Sequence, residues 1–333
     1  MNALPYTVGI IGLGKIAEGY DSPEGEAIQT HVKACLNEPR CRIAALGDND
    51  TERARAVQKR WNLNAPVFSS ETFFDQKLDV ICISTPDATH LGMLKRCVAA
   101  QPKLVLCEKP LARDPLIARD ALADLPFALA VNHIRRWIPG VAEWIANARR
   151  GAWGRALSAV VNYNRGFWHN ATHAFDLLAG FIGGEVQNAQ MIGERIDDFH
   201  AADSTLSAFA TLQTAAGKVP VWLCGVDGRI QSTFSVEILF EMARVRFFEE
   251  NGTRVELALP ASTLPPFAPE LQTAAQYQDH PPRLMLQVWQ NLIDHLEHKK
   301  PLACTGADAL EALRLQSQFF HQLSAFGKMG SND

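Results

Sequence analysis

Three short stretches of this chain hold residue types whose spacing suits chemistry. The first is Gly12-x-Gly14-x-x-Ala17, inside Val8-Gly9-Ile10-Ile11-Gly12-Leu13-Gly14-Lys15-Ile16-Ala17. That is the spacing of a dinucleotide fingerprint, with alanine in the third glycine position. Gly12 permits a tight turn, Gly14 lets the backbone approach a pyrophosphate, and Ala17 allows close helix–strand contact. Lys15 and Ile16 then open a helix whose first amides would face the phosphates. Asp48, ending Ala44-Ala45-Leu46-Gly47-Asp48, supplies a carboxylate for ribose hydroxyls. It lies farther from the glycines than the usual ~20 residues, and the polar stretch Tyr20–Gln29 reads as an insertion that accounts for the excess. A carboxylate repels a 2′-phosphate and Asn49 follows it, so NAD is favoured over NADP; Arg53 and Arg55 are the cations that can still reach a phosphate. The plainer role for Asp48 is a helix N-cap, for which Asp50 is also available.

The second stretch is Glu108-Lys109-Pro110. The preceding Leu104-Val105-Leu106-Cys107 is apolar throughout, so it delivers Glu108 and Lys109 to the carboxyl end of a buried strand, where doubly wound sheets bind ligands. Taking hydride from a carbinol carbon also requires loss of the hydroxyl proton, hence a base and a donor for the developing oxyanion. A lysine desolvated at such a place has its pKa lowered toward neutrality. Pro110 biases Lys109 toward an extended conformation and makes a cis bond possible. The third stretch is His173-x-x-Asp176, within a helical segment Thr172–Phe181 that places both side chains on one face. Just before it, Arg165-Gly166-Phe167-Trp168-His169-Asn170 offers an aromatic pair, a guanidinium and an amide suited to sugar faces and hydroxyls.

Two patterns of hydrophobicity position these residues. Up to about residue 130, short apolar runs (Tyr6–Ile11, Arg42–Leu46, Asp79–Ile83, Leu104–Cys107, Ala128–Val131) alternate with helix-like stretches such as Thr51–Trp61 and Ala88–Ala100. Strands that are apolar throughout and separated by helices predict a parallel sheet covered on both faces. After about residue 150, Arg155–Asn164, Ser204–Gln213, Lys218–Gly225, Thr233–Phe240, Arg244–Glu249 and Thr253–Leu259 read as closely spaced strands of an antiparallel sheet. Pro260–Pro269 reads as an irregular loop, and helices over about 283–298 and 306–326 close the chain. The fold class expected is therefore α/β: a doubly wound parallel N-terminal domain (1–130), then an α+β domain (131–333) with a large, mostly antiparallel, open-faced sheet for substrate binding and oligomerisation. The helix over 306–326 is a candidate to pack back on the first domain.

Composition narrows the classes. The 333 residues are 47% hydrophobic and 20% charged, which argues against disordered and fibrous chains. A net charge of −4 gives no electrostatic footprint for nucleic acid. No apolar run reaches the ~18 residues that span a bilayer, and Met1-Asn2-Ala3-Leu4-Pro5 lacks the cationic region of a secretory signal. The seven cysteines (Cys35, Cys41, Cys82, Cys97, Cys107, Cys224 and Cys304) form no Cys-x-x-Cys pair and read as reduced, structural thiols. A cytoplasmic protein with no nucleic-acid or membrane partner is expected.

The glycine loop, Ser84-Thr85-Pro86 after the Asp79–Ile83 strand, Glu108-Lys109-Pro110, and His173-x-x-Asp176 together resemble the Gfo/Idh/MocA oxidoreductases, which include glucose–fructose oxidoreductase and inositol dehydrogenase. The resemblance extends through Asn132 and Arg136 to Thr305-Gly306-Ala307-Asp308-Ala309. It implies a Rossmann domain, a nicotinamide cofactor, and hydride transfer at a hydroxyl-bearing carbon of a sugar, inositol or nucleotide-linked sugar. It also implies a homodimer or homotetramer formed through the open sheet. On it, Ser84, Thr85, Pro86, His90, Glu108 and Lys109 join the glycine loop and Asp48 in holding the cofactor. Lys109 is the catalytic lysine, His173 the acid/base or hydroxyl-orienting residue, and Asp176 a substrate-binding or histidine-orienting group. Asn132, Arg136, Arg165, Trp168, His169 and Asn170 are the substrate-side candidates. The family often carries Asp where this chain has His169. The resulting His169-x-x-x-His173-x-x-Asp176 spacing suits zinc, but without a further Cys or Glu it reads as polar lining, and no metal is expected. Two other functions fit the same fold: a non-catalytic dinucleotide sensor, and an enzyme whose tightly held NAD runs an internal oxidation–reduction cycle.

Overall fold

The computed structural model describes residues 4–200, 202–249, 252–261 and 270–329. The expected loop at Pro260–Pro269 therefore lies almost wholly outside the described residues. The chain divides into two compact units: one holds residues up to Ile138 together with Pro281–Leu310, the other Pro139–His280 together with the residues from Glu311 on.

The first unit is built on six strands: β1 (Tyr6–Ile11), β2 (Cys41–Gly47), β3 (Val67–Phe68), β4 (Val80–Ile83), β5 (Leu104–Cys107) and β6 (Ala128–Val131). Their order is β3-β2-β1-β4-β5-β6 and every pairing is parallel. Every residue of β4 and β5 is buried, as strands covered on both faces must be. Helices α1 (His31–Asn37), α2 (Thr51–Arg60), α3 (His90–Ala100), α4 (Pro115–Leu122) and the later α7 (Leu284–His298) belong to this unit. Local chemistry starts them: Asp50 accepts the Glu52 and Arg53 N–H groups at the head of α2, and Asp114 caps α4 with Pro115 at its first position.

The first crossover departs from expectation. The glycine loop is followed by a single π-type turn, Lys15–Gly19, and the first α-helix begins only at His31. Residues between them form a closed loop. The Asp21 Oδ2 accepts the Gln29 N–H (2.8 Å), the Thr30 N–H (2.8 Å) and the Thr30 hydroxyl (2.7 Å), and Lys33 Nζ donates to the carbonyls of Ser22 and Gly25. The stretch read as an insertion thus folds back on itself, and the helix expected right after the fingerprint is displaced beyond it.

Among the described residues the second unit carries eight strands: β7 (Ala156–Tyr163), β8 (Glu185–His200), β9 (Asp203–Thr214), β10 (Gly217–Gly225), β11 (Phe234–Phe240), β12 (Arg244–Glu249), β13 (Thr253–Pro260) and β14 (Leu271–Asp279). They run in the order β14-β13-β12-β11-β7-β10-β9-β8, antiparallel except for β7 with β10. Alternation is strict on β11 and from Ser158 to Tyr163 of β7, so one face is buried and the other half-exposed. The unit also holds α5 (Val141–Arg149), α6 (Ala171–Phe181) and most of α8 (Gly306–Met329). Phe181 meets Phe247 edge-on (6.0 Å between centroids), and Phe167, Phe175 and Phe319 form one aromatic cluster. No helix among the described residues is long and apolar enough to cross a membrane, and all seven cysteines are unbridged.

Candidate functional site

In the first unit a cleft of about 450 Å³ opens at the carboxyl ends of β1, β2 and β4, where the strand order reverses. Gly12, Gly14, Lys15, Ile16, Asp48, Ser84, Thr85 and Pro86 all line it, with Asn49, Arg53, Ser70 and Met93. Gly12 adopts φ +86°, and a Cβ there would lie 2.6 Å from the Ser84–Thr85 backbone; only glycine fits both demands. Gly14 differs: a Cβ there would meet nothing within 4 Å. The chain leaves open space over the Gly14 backbone, as a phosphate-bearing ligand approaching the main chain requires, so the residues present fit a dinucleotide.

Asp48 is buried and braces the loop opposite. Its Oδ2 accepts the Leu13 N–H (2.8 Å) and its Oδ1 the Asp50 N–H (2.9 Å), while the N-cap role belongs to Asp50. Arg53, 54% exposed, stands 3.8 Å from Asp48 at the rim. Ser84 Oγ donates to the Gly12 carbonyl (2.8 Å), fixing β4's loop to the glycine turn.

His90, read from sequence as a cofactor contact, is buried. Its ring nitrogens lie 2.8 Å from the Pro110 carbonyl and 2.8 Å from the Thr85 carbonyl. It therefore ties the loop after β4 to the loop after β5. The latter carries Glu108, Lys109 and a cis peptide bond to Pro110. Lys109 is half-buried; Glu108 lies beneath the surface. The Glu108 Oε1 receives two donors, His31 Nε2 (2.8 Å) and Asn132 Nδ2 (2.6 Å), and its Oε2 accepts the Lys109 N–H (3.3 Å). Burial alone would raise the Glu108 pKa, but His31, Asn132 and the Lys109 charge outweigh it and hold the carboxyl below its usual range. Burial alone would lower the His31 pKa, but Cys82 and Glu108 beside the ring hold it above the usual histidine range.

Sequence reasoning passed over His31. It follows the insertion, so no local pattern connects it with the glycine loop. Excising Tyr20–Thr30 would have placed it on the first crossover helix, and that is the signal that could have found it. Asn132 and Arg136, expected on the substrate side, are both buried in this unit; Arg136 lies 3.9 Å from Asp308.

The second unit brings Arg165, Trp168, His169, Asn170, His173 and Asp176 together along one loop and the start of α6. The loop is held from below by Asp203, whose two carboxylate oxygens accept the Trp168 N–H (2.7 Å) and the His169 N–H (2.8 Å). Arg165 and Gly166 take positive φ, and a Cβ on Gly166 would collide with Asp203. Thr205 Oγ1 accepts the Gly166 N–H, and Asn170 Nδ2 donates to the Asn164 carbonyl. Phe167 requires a correction. It is 1% exposed and sits in the aromatic cluster with Phe175 and Phe319, so only Trp168 of the expected stacking pair is part-exposed. His169 stacks on Phe199 (4.6 Å). His173 meets Phe234 edge-on and Asp176 is buried one turn further on.

A parallel six-stranded sheet with a glycine-lined crevice at its switch point defines a dinucleotide-binding protein. Residues 6–125 match the family model described as the oxidoreductase family with an NAD-binding Rossmann fold, Gfo/Idh/MocA. The match covers 120 of the 333 residues, so the sheet and crevice of the first unit are similar to that family's nucleotide-binding domain. It is 27% identical over 244 residues, 67% of this chain and 68% of the relative, to inositol 2-dehydrogenase 1 of Saccharopolyspora erythraea. It is 33% identical over 156 residues, 44% of this chain and 41% of the relative, to inositol 2-dehydrogenase of Rubrobacter xylanophilus. The fold is also that of the WlbA dehydrogenase from Bordetella pertussis, solved with NADH and UDP-GlcNAcA: TM-score 0.75, 17% identity, covering 98% of this chain and 97% of that one.

Proposed function

We propose that the protein is an NAD-dependent dehydrogenase that moves hydride between nicotinamide and a hydroxyl-bearing carbon of an inositol, sugar or nucleotide-linked sugar. The observation that carries this reading is the His90 bridge. One buried ring joins the Thr85 carbonyl, from a loop lining the dinucleotide cleft, to the Pro110 carbonyl beside Lys109. When bound, the cofactor supplies the hydride acceptor. The chain supplies the rest: Gly12 and Gly14 bring the backbone to the pyrophosphate, and Asp48 offers its remaining lone pairs to ribose hydroxyls and disfavours a 2′-phosphate. The Lys109 amine takes the proton of the reacting hydroxyl, His173 orients that hydroxyl or relays its proton, and Asp176 orients His173. Asn132, Arg136, Arg165, Trp168, His169 and Asn170 are the groups proposed for the rest of the substrate. The names of the relatives, inositol 2-dehydrogenases and a dehydrogenase bound to UDP-GlcNAcA, support this substrate range.

The test is NADH formation across a panel of inositols, free sugars and UDP-sugars, with Lys109→Ala beside the unaltered protein. At least one polyol should be turned over, and Lys109→Ala should lose at least ~100-fold in turnover while keeping NADH binding. A protein that binds NADH and oxidises nothing in the panel would instead be a sensor.

Copies of the chain are further proposed to pair through the open face of the large sheet. One row crosses that face on all eight strands: Gln190, Phe209, Trp222, Val160, Glu237, Arg246, Glu256 and Gln276. Three of its first four members are apolar, with Phe209 against Trp222 (4.6 Å) and Trp222 45% exposed. Its second half is an ion-pair ladder, Arg246 with Glu237 (3.1 Å) and Glu256 (3.7 Å). A two-fold pairing would cover the exposed tryptophan. Trp222→Glu should convert a dimer or tetramer to monomer in light scattering; an unchanged mass would place the interface elsewhere.

A further inference from the structure

The buried histidine beneath the Glu-Lys-Pro turn has no place in the chemistry above. His31 is 0% exposed, yet it spends its Nε2 on Glu108 at 2.8 Å. Asn132 meets the same carboxylate oxygen at 2.6 Å, so two side chains from separate elements converge on one buried atom. The other oxygen of Glu108 accepts the backbone N–H of Lys109. We propose that His31 is a positioning residue for Lys109: through Glu108 it fixes both the orientation and the net charge of the turn that carries the Lys109 amine. The inference rests on Lys109 being the reacting-side amine of the proposed function.

The physical argument is one of charge balance. An uncompensated carboxylate beneath an ammonium stabilises the charged amine and works against its use as a base. A cation on the far side of that carboxylate cancels the effect at no cost to the carboxylate's shape. His31 is placed to be that cation. It approaches Glu108 from α1, while Lys109 follows Glu108 in the chain. Cys82 of β4 lies beside the His31 ring and Cys107 of β5 beside Glu108. The Cys107 thiol is pushed up by burial and stays neutral. Trp289 of α7 lies edge-on to His31 at 6.2 Å. A histidine used only as filler would not need a buried carboxylate as partner, because such a pair is costly to assemble unless both groups are satisfied.

The test is NMR on the full chain labelled in histidine and lysine side chains, read without substrate and therefore independent of turnover. His31→Gln and Lys109→Arg identify the two signals. The His31 ring should report an imidazolium through pH 8. In His31→Gln, which keeps a donor but loses the charge, the Lys109 side chain should titrate about one pH unit higher, the order expected for removing a neighbouring charge at an effective dielectric of ~20. Glu108→Gln should move it the opposite way. A Lys109 signal unmoved in His31→Gln overturns the proposal. If that variant does not fold, the unaltered protein decides: a His31 ring titrating near the ordinary value of ~6.5 overturns it. Turnover retained in Lys109→Ala would sink the functional reading but leave the His31–Lys109 coupling standing or falling on these titrations.

Discussion

Two buried carboxylates organise the two halves of this protein in opposite ways. In the first unit, Glu108 is held by side chains, His31 and Asn132, that reach it from distant segments. In the second, Asp203 is held by the main chain, accepting the consecutive N–H groups of Trp168 and His169. Both are about equally buried, at 7% and 5% exposure. The difference is what each can control. A carboxylate bound to backbone amides fixes a loop's path and is insensitive to which side chains decorate it. A carboxylate bound to an ionisable ring carries a charge balance that a single substitution can change without altering the loop's shape. On this comparison the second unit contributes a rigid scaffold for candidate substrate contacts, and the first contributes an electrostatically adjustable turn under the candidate catalytic amine.

The largest effect should come from breaking the backbone-held member. Asp203→Ala removes the acceptor of two part-buried N–H groups and should destabilise the protein by about 2 kcal/mol, read as a lower urea midpoint. A change below about 1 kcal/mol would mean that the positive-φ backbone at Arg165 and Gly166 holds the loop without it. Next comes the pH dependence of the side-chain-held member. His31 is raised from 6.5 to about 10 by its neighbours in the folded state. Its contribution to stability is therefore fully present below about pH 6.5 and is lost as pH rises toward about 10. The Glu108 carboxyl is lowered, so its contribution is present above the usual carboxylate range and lost as pH falls through the lowered value. Thermal melts of the unaltered protein should decline on the alkaline side of that window, and His31→Gln should flatten the decline. Identical alkaline slopes in the two proteins would remove the charge from His31. The smallest effect belongs to the rim. Arg53→Ala should change the melting temperature negligibly, because its pair with Asp48 is long and the arginine is more than half exposed. Any residual binding of NADP should fall, since Arg53 is a cation at the Asp48 corner of the cleft.

How much was legible beforehand follows the same division. The parallel strands of the first unit were readable because burial on both faces leaves them apolar throughout, as in Val80–Ile83 and Leu104–Cys107. The central strands of the large sheet were readable from alternation. Three strands were not seen: β8 and β14, the two edges of that sheet, and the two-residue β3 at one edge of the parallel sheet. An edge strand buries little, so its hydrophobic signal is weak: β14 alternates mainly between exposed and half-buried residues, and β8 leaves Met191 and Ile192 exposed. At the candidate site, Gly12 and Gly14 were legible from their fixed local spacing and Asp48 from its place at the end of the second apolar run, and all three line the cleft. His31 was not, because its partner Glu108 is 77 positions away. Phe167 was misjudged because the sequence shows an aromatic residue in a loop and hides the fact that the loop is packed from below.

The central claim is that the glycine-lined cleft holds a nicotinamide dinucleotide against the Gly14 backbone. The most direct measurement is a fluorescence titration of NADH into the unaltered protein and into Gly14→Val. A side chain at Gly14 enters open space, and φ there is −85°, so the variant should melt at the same temperature. The account predicts saturable NADH binding weakened at least ~10-fold by the branched side chain, through loss of the close backbone approach. Equal affinity in the two proteins, or no NADH binding by either, would contradict it.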